Sequence, residues 1–153
     1  MNYSREPDEL MHKYAHKQAY LFAQSTDDHL PSYFFIKLFM HGYHTKRFDK
    51  LENVSDDELV FTTYFLISKN RGKIFDKNVM HWIGYIYRVI AYIYDIPSSH
   101  IFNKVPPKYM VKVYPLFHSL DPVKAASKIY EDKIKEKESK EERLMNLMRK
   151  VYL

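Results

Sequence analysis

Apolar residues recur along this chain at steps of three and four rather than in alternation, a period that predicts helices. Leu10, Tyr14, Leu21 and Phe22, with Met11, Ala15 and Ala19 beside them, form the first such face. Pro7-Asp8-Glu9 starts that helix, its acids favouring the positive N-terminal end, and Ser25–Asp28 closes it. Pro31 opens a second, nearly all-apolar helix over Leu30–Met40, which should be buried. After Gly42 a short helical turn covers Thr45–Leu51. Ser55-Asp56-Asp57-Glu58 reads as a capping box launching a helix to about Lys69, stopped by Asn70-Arg71-Gly72-Lys73. Asp76 caps Lys77–Tyr94, the longest periodic stretch, and Pro97 ends it. Ser98-Ser99 then caps a short helix to Phe102, and Pro106-Pro107 opens Lys108–Phe117, which Pro115 threatens to kink or shorten. Asp121-Pro122 begins the final helix.

That final segment changes character. From Glu131 to Arg143 it is almost entirely Lys and Glu, with pairs such as Glu131–Lys135 and Glu136–Lys140 four apart and only Ile134 apolar. Such a stretch is a solvated helix or a frayed tail. Leu144, Met145, Leu147, Met148, Val151 and Tyr152 then turn apolar again, a pattern that docks on its own domain, a second copy or a partner. The expected architecture is all-α: a compact bundle of about six to seven helices with a long charged C-terminal helix. Residues 1–130 would form a single helical domain and 131–153 a charged helical extension.

Composition agrees. The 153 residues suffice for one domain, and 3 glycines are too few for the tight turns of a barrel or sandwich. With no cysteine there is no disulfide scaffold, thiol chemistry or Cys-ligated metal. No apolar run nears the roughly 20 residues of a bilayer span, and the first residues lack a signal peptide's apolar core, so a cytoplasmic, bacterial protein is expected with no membrane partner. The net charge of +5 is uneven: residues 1–70 carry 8 basic and 10 acidic side chains, 71–120 carry 7 and 2, and 121–153 carry 9 and 7.

The helix over 77–94 carries the main candidate surface. Trp82, Ile83, Ile86, Val89, Ile90 and Ile93 form one broad apolar face. The opposite stripe reads His81, Tyr85, Arg88, Tyr92 and Asp95. Arg88 between two tyrosines could present its fork to a phosphate or carboxylate, so His81, Tyr85, Arg88 and Tyr92 are the partner-binding candidates. The bland alternative is an Arg paired to an acid on a neighbouring helix. Gly84 within this helix costs about 1 kcal/mol relative to alanine, an expense that close approach of another helix or chain would explain.

Other chemistry is thinner. His12 and His16, four apart, could share a metal, but Lys13 stands where a metalloprotease has Glu and no third ligand is evident; His41 and His44 are discounted likewise. No metal or other cofactor is assigned. No P-loop, nucleophile elbow or dinucleotide fingerprint is present, and there is no positive case for catalysis. Residues 98–114 match a helix-turn-helix in length, with Lys104, Lys108 and Lys112 as possible nucleic-acid contacts, though only Asn103 could read a base.

Met80–Arg88, Ser98–Phe102, Tyr109, Tyr114, Leu116-Phe117-His118, Asp121 and Ala125-Ala126, with Ser32–Ile36 and Phe39-Met40 upstream, resemble a short domain of small uncharacterised bacterial proteins. Genes for that domain often lie beside one for an ADP-ribosyltransferase-like toxin, in toxin–antitoxin operons. The resemblance spans roughly residues 30–130 and implies no catalytic residues. Residue reading and resemblance together point to a non-catalytic helical interaction module, an antitoxin or accessory component that occludes a cognate toxin. A homodimer through Leu144, Met148 and Tyr152 is a further expectation. The alternatives are a DNA-binding regulator using residues 98–114 and, last, an enzyme or metal protein using His12, His16 or His81.

Overall fold

A computed structural model describes residues 3–67, 71–135 and 140–152, with the side chain of Lys140 left aside. Among these the chain is all-helical: α1 (Glu9–Asp27), α2 (Ser32–Met40), α3 (Tyr43–Asp49), α4 (Asp56–Leu66), α5 (Lys77–Tyr94), α6 (Ser98–Lys104), α7 (Pro107–Phe117), α8 (Pro122–Ile129) and α9 (Lys140–Tyr152), with a π-helical turn over Tyr130–Ile134. None of these helices is long and apolar enough to cross a membrane.

Local chemistry sets the boundaries. Asp8 caps α1 through the Met11 N–H, and the capping box of α4 closes in both directions between Ser55 and Glu58. Asp76 accepts from the Asn78 and Val79 N–H groups at the start of α5, and Asp121 does the same for Val123 and Lys124 at α8. At α6 the expectation fails: Pro97 is the cap residue, and the Ser98 side chain is turned to another partner. α7 continues two residues past Pro115.

α5 is the axis. Every residue from Ile83 to Ile93 is buried, because helices cover it on all sides. α1 runs against it in the opposite direction: Asp8 meets Tyr92 at one end, and Gln18 and Phe22 meet Gly84 further along. A Cβ on Gly84 would sit 2.8 Å from Phe22 Cγ and 3.0 Å from the Gln18 carbonyl oxygen. The close approach that Gly84 suggests is therefore made by α1. Phe22 packs edge to face on both Phe35 and Phe39 where α1 and α2 meet, and Trp82 packs the same way on Tyr114 of α7.

The single final helix expected from Asp121 onward is interrupted. After the π-helical turn Lys135 adopts an extended ψ of 125°, which ends that helical run. Ile134 is partly buried against the core, and the Glu131–Lys135 pair forms at 3.4 Å; Lys69 and Glu136 lie outside the described residues.

Candidate functional site

The middle of the Tyr/Arg stripe is a buried seam, while His81 at its start is exposed. Arg88 is only 1 % exposed, Tyr92 4 % and Tyr85 9 %. Arg88 Nη1 donates to Asp49 Oδ1 at 2.6 Å, Nε to Gln18 Oε1 at 2.9 Å, and Nη2 to Ser98 Oγ at 3.0 Å. Its carbon centre lies 4.5 Å from the centroid of the Phe48 ring, which stacks in turn on Tyr14. Asp49 also accepts from the Ser98 backbone N–H at 2.9 Å and from Ser98 Oγ at 2.6 Å. A carboxylate at the end of α3 thus caps the start of α6. Gln18 completes the set by donating to the Gly84 carbonyl at 3.0 Å. This is the bland alternative in full: an architectural ion pair that cannot touch a partner.

The tyrosines serve the same seam. Tyr92 donates to both oxygens of Asp8, at 2.9 and 3.0 Å. Burial, reinforced by that carboxylate, pushes its phenol above the ordinary value. The Met11 N–H and then Tyr92 hold Asp8 below the usual carboxylate range. Asp95, the last member of the stripe, is exposed and paired with Arg5 at 2.9 Å.

At the other end of the stripe His12 and His16 gather around Tyr85, with His81 nearby. The Tyr85 hydroxyl lies 2.6 Å from His12 Nδ1, and the His16 ring stands edge-on to Tyr85 at 5.1 Å. His81 is close enough for His16 to act on it: desolvation first, and the neighbouring imidazole second, hold His81 below its ordinary value. Separations of four along each of two antiparallel helices bring these rings together, a convergence that the sequence shows only once α1 and α5 are paired. Among the described residues no group of three or more His, Asp or Glu side chains is arranged to hold a metal ion.

Two exposed features remain. On α9, Leu144, Met145, Leu147, Met148, Val151 and Tyr152 are 47 to 78 % exposed, and among the described residues no other helix shares an extended contact with α9. The second is a groove of about 730 Å³ between the latter half of α1 and α4. These helices run in the same direction, since Lys17 pairs with Asp56 at 3.4 Å and the Tyr64 hydroxyl donates to Asp28. Tyr20, Gln24 and Asp28 line one wall, Asp57, Phe61 and Phe65 the other, and Leu21 and Val60 lie between. Phe61 and Phe65 stack in parallel at 6.2 Å while remaining 66 % and 73 % exposed. This groove is not evident from the order of residues along the chain. Leu59 and Thr63 are the residues α4 turns inward, with Ile67 buried just past its end, so the larger aromatics face out, and a helix whose bulkiest residues lie opposite a small Thr is the available signal.

Lys104, Lys108 and Lys112 are exposed on α6 and α7. No family model, curated protein or solved structure matches the chain.

Proposed function

We propose that the protein is a non-catalytic helical interaction module whose docking element is α9. The observation that supports this reading is the apolar face of that helix. Leu144, Leu147, Met148 and Val151 stand at i, i+3, i+4 and i+7, the spacing of an amphipathic helix laid into a partner's groove, and all are exposed. A folded domain that leaves such a face in water has a use for it outside itself. The partner to test first is an ADP-ribosyltransferase-like toxin encoded beside it, which the resemblance over residues 30–130 suggests. The mode of action is occlusion: α9 covers the toxin's working surface while the helical domain holds it there. Arg88, Tyr85 and Tyr92 act only by keeping the domain folded.

Co-expression with the product of the adjacent gene tests this. The two should co-purify as a stoichiometric complex, and Leu147→Glu should abolish the complex without lowering the melting temperature of the domain. Retention of the complex by that variant would sink the role of α9.

A second reading, nucleic-acid binding, draws on the three exposed lysines. It expects a shift of the gene's own upstream DNA at low salt, and a salt slope reduced by about 1 for each of Lys108→Ala and Lys112→Ala. No shift at low salt would end it.

A further inference from the structure

We infer that the α1–α4 groove is the receptor for α9 of a second copy of this chain, so that two copies self-associate by exchanging C-terminal helices. The inference rests on α9 being a docking element and names a surface it docks on.

Three observations converge. The first is shape: from Tyr20 to Asp28 the groove runs eight residues of helix, about 12 Å, and the stripe from Leu144 to Val151 covers about 10 Å. Two aligned helices with a trough between them accept a third helix, and Phe61, Phe65 and Tyr20 supply exposed aromatic walls for Leu147 and Met148. The second is charge. The groove carries Asp28, Asp56 and Asp57, offset by Lys17 at one end. Arg143 and Lys150 are seven apart on α9 and so lie along one edge of the apolar stripe, with Arg149 on the far side. The basic edge of the stripe, opposite the edge that carries Glu141, meets an acidic rim around an apolar trough.

The third is topology, which selects a second copy over the same chain. Tyr130, where the chain leaves α8, stacks on Tyr94 at 3.8 Å. Two residues earlier Tyr92 donates to Asp8, the cap of α1, so this exit lies at the start of α1. The groove begins at Tyr20, about 17 Å further along that helix. The five residue steps from Lys135 to Lys140 span at most about 18 Å when fully extended. The four helical steps from Lys140 to Leu144 add about 6 Å, so the stripe can reach about 24 Å, and the axial separation leaves only about 7 Å for the path around the helices. A groove on a second copy has no such constraint, and exchange in both directions closes into a two-fold dimer with both grooves filled.

The test is sedimentation of the full-length protein across the micromolar range. The wild-type chain should be a dimer. Leu147→Glu, on the helix, and Phe61→Glu, in the groove, should each weaken self-association by roughly 30-fold. Mixing these two variants should restore association, because the heterodimer regains one intact helix with one intact groove. Phe65→Glu reads the same wall should Phe61→Glu disturb folding by circular dichroism. A monomeric wild type, a dimer indifferent to both groove variants (helix-on-helix pairing), or variants that fail to complement would each overturn the proposal. A chain that captures its neighbour's product yet stays monomeric would sink this pairing and leave the proposed function standing. A dimer without capture would do the reverse.

Discussion

Replacing Arg88 by alanine strips the Asp49 carboxylate of its counter-charge where water scarcely reaches, since the two side chains are 2 % and 13 % exposed. Loss of one partner of a buried pair costs about 3–5 kcal/mol, so Arg88→Ala should lower the melting temperature sharply and look like a folding defect in any binding assay. The double change Asp49→Leu with Arg88→Met should lose less than the two single changes added together, a coupling of about 1–3 kcal/mol readable from denaturant melts. His81 gives a gentler signature. Its imidazole is held below the ordinary value when folded, so the unfolded chain binds the proton more readily. Its contribution is therefore present above the unfolded value of about 6.5 and is lost as pH falls through the depressed folded value. Urea midpoints should decline with acidification, and His81→Gln should flatten that decline.

Between helices, the test is Gly84. Alanine is worth about 1 kcal/mol over glycine inside a helix, and an exposed site would profit from the change. Here the new methyl group would overlap Phe22 and the Gln18 carbonyl, so Gly84→Ala should destabilise by about 1–3 kcal/mol in thermal melts despite the better propensity. The position was legible in the sequence as an anomaly, and so were the capping box at Ser55, the caps at Asp76 and Asp121 and the bounds of α5. These depend on neighbours in the chain. What was not legible depends on pairing across it. The Tyr/Arg stripe reads as a free face until α1 lies on it. Ser98 reads as a helix cap until Asp49, 49 residues away, takes its hydroxyl and its N–H. Exposed Phe61 and Phe65 over buried Thr63 invert what side-chain size suggests. The break at Lys135 has no Gly or Pro beside it to mark it.

For the whole molecule, self-association and capture of a heterologous partner claim the same residues. Leu147 cannot lie in a second copy's groove and on a toxin at once. Partner binding should therefore split the dimer: titrating a purified partner into the protein, followed by sedimentation, should yield one-to-one complexes at the expense of dimer. Persistence of a dimer within the complex would show that the two surfaces are separate. Salt should weaken self-association moderately, since the acidic rim and basic edge are exposed while the apolar stripe is not screened.

The guanidinium of Arg88 ties residues 18, 49 and 98 to one atom cluster, and two of those lie on helices of only seven residues. Helices that short have almost no persistence alone. Their lifetimes are borrowed from the central helix, so amide hydrogens of α3 and α6 should exchange with deuterium at the slow pace of α5 rather than at the fast pace of surface turns. One severed tether should release both together, turning two slow regions into fast ones in a single step.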